Sequence, residues 1–102
     1  MMIKNELEGA RATLSLQGRF DFHSHRDFRS AYEKMYENNA VRELEIDFKQ
    51  VDYLDSSALG MLLLLKEKSE SSGRNVTLSG LQGTVKQVLD IANFGKLFHI
   101  KG

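Results

Sequence analysis

The residues best placed to do chemistry in this chain sit at one junction, Asp55-Ser56-Ser57, where a polar run gives way to an unbroken stretch without polar side chains, Ala58 to Leu65. Ser and Asp suit the start of a helix because their side-chain oxygens accept hydrogen bonds from the first N–H groups, which have no partner inside the helix. Either Asp55 or Ser56 can take that capping role. A hydroxyl at such a place also tolerates an added phosphate. It is exposed, and an added anion meets free N–H groups and the positive end of the helix dipole, a gain of ~0.3–1 kcal/mol. Ser56 and Ser57 are therefore the candidate acceptors, and spacing alone does not separate them.

Other groupings carry less. His23 and His25 are one residue apart, but two imidazoles without a third ligand, in a chain with no Cys, make a poor metal site. Asp47, Asp52 and Asp55 invite comparison with the Mg-binding carboxylates of a response-regulator receiver. That reading fails for want of paired acids after the first strand. No Ser-His-Asp relay, phosphate-cradling glycine loop or dinucleotide fingerprint is present. The expectation is no catalytic centre, no metal and no cofactor: a substrate of a modifying enzyme rather than an enzyme.

The elements that must position the junction follow from periodicity. Within 102 residues a single domain with one core is expected. Ile3–Leu7 and Ala12–Gln17 alternate and flank a Glu8-Gly9 turn, which predicts an antiparallel hairpin. After Gly18, the spacing of Phe28, Ala31, Tyr32 and Met35 predicts a helix, with Ser24 as its N-cap and Asn38-Asn39 as its stop. Glu43–Phe48 alternates as a third strand, and Val51 and Leu54 anchor a loop into the apolar helix, which Gly73 ends. Asn75–Ser79 reads as a strand and Leu81–Asn93 as a helix built on Val85, Val88, Leu89 and Ala92. The tail Leu97–Ile100 adds a short last strand. Strands that alternate, rather than run continuously apolar, call for helices mainly on one face of the sheet. Thr13, Ser15, Glu43, Glu45 and Thr77 should then line the open face, with Leu14, Leu44, Ile46 and Val76 beneath the helices.

Winding the apolar helix at 100° per residue puts Ala58, Leu62 and Leu65, flanked by Leu59 and Met61, on its core side. Ser56, Gly60, Leu63 and Glu67 form a stripe on the other side, with Leu64 beside it. A helix that buried only one face would not place two leucines there, so this stripe is a candidate contact surface for a partner. Lys plus Arg and Asp plus Glu balance at 14 each, which gives no basic face for nucleic acid. The N-terminal MMIKNELEGA lacks an apolar leader core, and Met61–Leu65 is far short of the ~20 residues of a membrane span. A cytoplasmic protein with no direct membrane insertion is expected.

Leu54-Asp55-Ser56-Ser57-Ala58-Leu59-Gly60, preceded by a strand pattern and followed by an apolar helix, resembles the signature of STAS domains, in particular the anti-sigma factor antagonists. Gly18-Arg19-Phe20-Asp21 is similar to the Gly-x-x-Asp turn after their second strand, and Leu81–Phe98 resembles their final helix and tail. Ala58 departs mildly from the Gly often found at that position. The resemblance implies an α/β fold over residues 1–102, with a mixed sheet of four to five strands and helices mainly on one face. It implies phosphorylation of the serine directly after the Asp, which is Ser56 here, with Asp21 in the neighbouring loop. It also implies partners: a serine kinase of the anti-sigma type that binds the unmodified form, and a PP2C-type phosphatase that restores it. A non-switching STAS module, acting as a scaffold or as the small subunit of a lipid-transport ATPase, is the alternative.

Overall fold

The alternating segments form one five-stranded mixed sheet in the computed structural model, which describes residues 1–101. Strands β1 (Met2–Glu8) and β2 (Arg11–Phe20) make an antiparallel hairpin through a two-residue turn. Gly9 there holds φ +60, the left-handed conformation that the first central position of such a turn requires. Helix α1 (His25–Tyr36) leads to β3 (Glu43–Leu54), α2 (Ser56–Ser71) to β4 (Asn75–Ser79), and α3 (Gly83–Ile91) to β5 (His99–Lys101). The strands lie in chain order, and every pairing after the first is parallel. Right-handed crossovers between neighbours taken in that order put all three helices on one face.

Burial agrees. Ala12, Leu14, Leu16, Leu44, Ile46, Phe48, Val76 and Leu78 are buried, together with Phe28 and Tyr32 of α1 and Ala58, Met61, Leu62 and Leu65 of α2. Thr13, Ser15, Glu43, Glu45 and Thr77 are only partly covered. They belong to a polar open face on which Arg11 pairs with Glu43 at 2.8 Å and Glu45 at 3.3 Å. Ser79 donates to Glu45 at 2.8 Å on the same face.

Several boundaries differ from those read in the sequence. β2 runs on through Gly18 to Phe20, and β3 through Val51 to Leu54, so the expected loop at Val51–Leu54 is strand. Irregularities in the β2–β3 register, one at Ser15/Gln17 and one at Gly18/Arg19, are the reason. They space the buried residues Phe48, Val51 and Leu54 three apart, which hides a strand from a period-two reading. Ser24 does not cap α1. A 3-10 turn at Phe22–Ser24 runs straight into that helix, and the Ser24 hydroxyl instead donates to the Arg19 carbonyl and accepts from the Asp21 N–H. α3 starts later and ends earlier than expected, and the last strand begins at His99 because Phe94–Lys96 coils into a second 3-10 turn.

Candidate functional site at the mouth of the central helix

The junctions that leave β2 and β3 are held side by side. Phe20 and Leu54 are register neighbours, and the Asp55 N–H donates to the Phe20 carbonyl at 3.3 Å. Asp21 and Asp55 therefore emerge together at the carboxyl ends of two parallel strands, the usual address of a site in an α/β sheet.

Asp55 caps α2. Its backbone is extended, and its Oδ1 accepts from the Ala58 N–H at 3.0 Å. The choice between Asp55 and Ser56 is thereby resolved: Ser56 occupies the first helical position and has no capping work. Ser56 and Ser57 are both exposed, and among the described residues neither hydroxyl makes a hydrogen bond. Helix geometry thus leaves both oxygens free, while the dipole end beneath them favours an anion.

Asp21 is fixed from several sides. Its Oδ1 accepts from the His23 N–H at 3.0 Å, its Oδ2 lies 3.5 Å from Arg19 Nε, and its own N–H is bound by Ser24. The Arg19 guanidinium in turn lies over the Tyr53 ring, 3.9 Å from its centroid. Arg19 and Tyr53 are register neighbours on β2 and β3, so the sheet itself delivers this pair to the edge of the site. Neither was singled out from the sequence, because the cross-strand register that joins them passes through the irregular stretch.

The apolar surface is wider than a single helical stripe. Phe22, His25, Ser57, Gly60, Met61 and Leu64 line a shallow apolar groove between the 3-10 turn and α2. Phe22 is 61% exposed, Leu64 53% and Leu63 42%. Leu64 and Glu67 also border a second recess with Arg29 and Lys68, whereas Leu63 lines neither. Gly60 and Leu64 therefore face α1 and the turn before it. Phe22 was the missed member, although an apolar residue outside any periodic run was the available signal. His23 stacks on Phe22 with centroids 4.0 Å apart. Among the described residues, no three His, Cys, Asp or Glu side chains gather as a metal site.

The family model described as Mlab, STAS domain matches residues 3–99. The chain belongs to the STAS domain family. A STAS-domain containing protein of Pseudomonas aeruginosa is 42% identical over 93 residues, covering 91% of this chain and 90% of the relative. The Bacillus cell fate determinant SpoIIAA in its phosphorylated form superposes with a TM-score of 0.75 at 19% identity, over 99% of this chain and 92% of that one. A sulfate transporter family protein of Wolinella succinogenes gives 0.76 at 16% identity, over 89% and 75%. At these identities the two structural likenesses speak for the fold alone. Among the described residues of this STAS protein, no helix is long and apolar enough to cross a membrane.

Proposed function

We propose that this STAS protein is a phosphorylation-switched binding protein of the anti-sigma factor antagonist kind. Unmodified, it binds a serine kinase of the anti-sigma type through the exposed surface of α2; phosphate on Ser56 releases it. One observation carries the reading: Asp55 does the capping, so the Ser56 hydroxyl is exposed and unbonded, one helical turn from Gly60 and two from the exposed Leu63 and Leu64. The SpoIIAA structure in a phosphorylated form supports it, as a protein of this fold that carries the modification.

The kinase supplies ATP and the general base. Ser56 Oγ attacks the γ-phosphorus, its proton passes to that base, and ADP leaves. A PP2C-type phosphatase hydrolyses the ester and returns the free hydroxyl. In this scheme the STAS protein contributes position alone, with Asp21 and Asp55 as fixed negative charges beside the acceptor.

The test is incubation with host lysate and ATP, followed by phosphate-affinity electrophoresis of wild type, Ser56→Ala and Ser57→Ala. A retarded band that disappears only in Ser56→Ala supports the switch. An unshifted wild type that still co-purifies stoichiometrically with one partner marks instead a non-switching module, such as a scaffold or the small subunit of a lipid-transport ATPase.

A further inference from the structure

The β1 edge lies on the far side of β2 from the β3 strand that leads to the switch serine, and nothing in the proposed function uses it. β1 is almost wholly exposed, including Leu7 at 50%, and among the described residues its outer side pairs with no other strand. The two-residue turn makes Glu8 and Arg11 a closely bonded pair, so Glu6 and Lys4 also direct their N–H and C=O groups towards β2. Ile3, Asn5 and Leu7 direct theirs outward, as an unused hydrogen-bonding row.

The side chains along this edge are complementary to themselves. Turning a second copy about a dyad normal to the sheet through Asn5 sets Ile3 against the second copy's Leu7, and Lys4 against the second copy's Glu6, each twice. In this arrangement the outward-directed residues 3, 5 and 7 meet one another as hydrogen-bonded pairs. A slip of two residues one way opposes Lys4 to Lys4, and the other way Glu6 to Glu6. Like charges directly opposite across strands are destabilising, so of these three registers the one centred on Asn5 is free of conflict.

The helix above the edge repeats the pattern. Ser30 and Ala31 of α1 share a groove with Ile3 and Asn5, and the same groove is bounded by Asp27 and Lys34. A dyad near Asn5 crosses α1 and its copy antiparallel at these two small residues, which sets Asp27 against Lys34 twice more. Lys4, Glu6, Asp27 and Lys34 are all exposed, and none has an ion-pair partner within the described chain. Two separate elements thus carry unpaired opposite charges placed symmetrically about one axis.

We propose that β1 and α1 form a twofold interface with a second copy of this chain, joining the two sheets into one of ten strands. Ser56 leaves the sheet two strands away and remains open in the dimer, so the proposal stands whether or not Ser56 is the modified residue.

Sedimentation velocity and light scattering at rising concentration test it, with circular dichroism as the check on folding. Wild type should pass to twice the chain mass. Lys4→Glu and Glu6→Lys should each weaken association roughly tenfold or more, and the double exchange should restore it, because the charges then oppose each other with the signs reversed. Asn5→Pro should be monomeric with an unchanged spectrum, since proline is tolerated on an edge strand where the lost N–H faced outward. A wild type that stays monomeric throughout, or a double exchange no better than either single change, would overturn the interface. Should Asn5→Pro fail to fold, the charge exchange still decides.

Discussion

Ser56 and Asp55 stand next to each other and do different work, so substitutions should separate them. With the cap on Asp55, Ser56→Ala removes an exposed hydroxyl without a partner and should change unfolding free energy by less than about 0.5 kcal/mol. Asp55→Ala frees the Ala58 N–H and should cost ~0.5–2 kcal/mol. Denaturant unfolding of the two variants checks this ordering. In the kinase reaction the positions reverse in importance: Ser56→Ala should abolish phosphate incorporation, whereas Ser57→Ala should incorporate normally. Mass spectrometry that placed the phosphate on Ser57, whose hydroxyl is also exposed, would refute the assignment.

α1 and α2 are tied by a buried polar contact, which makes their packing sensitive to alkaline pH. The Tyr36 hydroxyl bonds the Ser69 hydroxyl, and Ser69 donates to the Leu65 carbonyl at 2.7 Å. Burial pushes the Tyr36 phenol above its ordinary value, against smaller opposing effects of Ser69 and Arg74. Burial likewise raises Tyr32. A phenol whose folded pKa lies above its unfolded one gives stability that is complete below pH ~10 and is lost as pH rises through the folded value. Stability should therefore fall in strong alkali, and Tyr36→Phe should reduce that slope, leaving the part due to Tyr32. At neutral pH the same change should cost ~1 kcal/mol for the lost hydrogen bond. Urea titrations across the alkaline range test both statements. The core faces of these helices were legible in sequence, since Phe28, Tyr32, Ala58, Leu62 and Leu65 follow the helical period. Ser69 was not, because nothing in a polar run distinguishes a serine that meets a tyrosine 33 residues away. The end of β3 was hidden for a related reason: its register shifts depend on β2, and a single strand's pattern does not contain them. At the site, Asp55-Ser56 and the exposed leucines were readable as a cap and an unpartnered stripe. Arg19, Tyr53 and Phe22 join the site only through strand pairing and the turn after β2.

At the scale of the whole molecule, the proposed switch requires that binding and folding respond separately, and Gly60 offers the sharpest separation. Beyond the adjoining helix backbone, a Cβ there meets no atom of the described residues within 4 Å, so Gly60→Ala fits the fold and should stabilise α2 by ~0.5–1 kcal/mol through helix propensity. The same methyl group would stand on the floor of the groove beside Leu64 and hold off a docking partner, so affinity should fall while stability rises. Leu64→Ala should also weaken binding more than it weakens folding, as its side chain is half exposed. In the proposed switch, phosphorylation would act on this surface by charge. It adds about −1.5 to −2 units at Ser56, beside the carboxylates of Asp55 and Asp21. Against a desolvated partner surface, like-charge juxtaposition costs several kcal/mol, and each ~1.4 kcal/mol is tenfold in affinity, so a loss of two to three orders of magnitude is expected. The fold should persist, since the anion sits at the favourable end of the α2 dipole. Calorimetric titration of the kinase partner with unmodified and Ser56-phosphorylated protein, alongside circular dichroism of both, is the deciding comparison. Equal affinities would show that phosphate does not control docking, and a phosphorylated form without its helical signal would show release by unfolding rather than by charge at an intact surface.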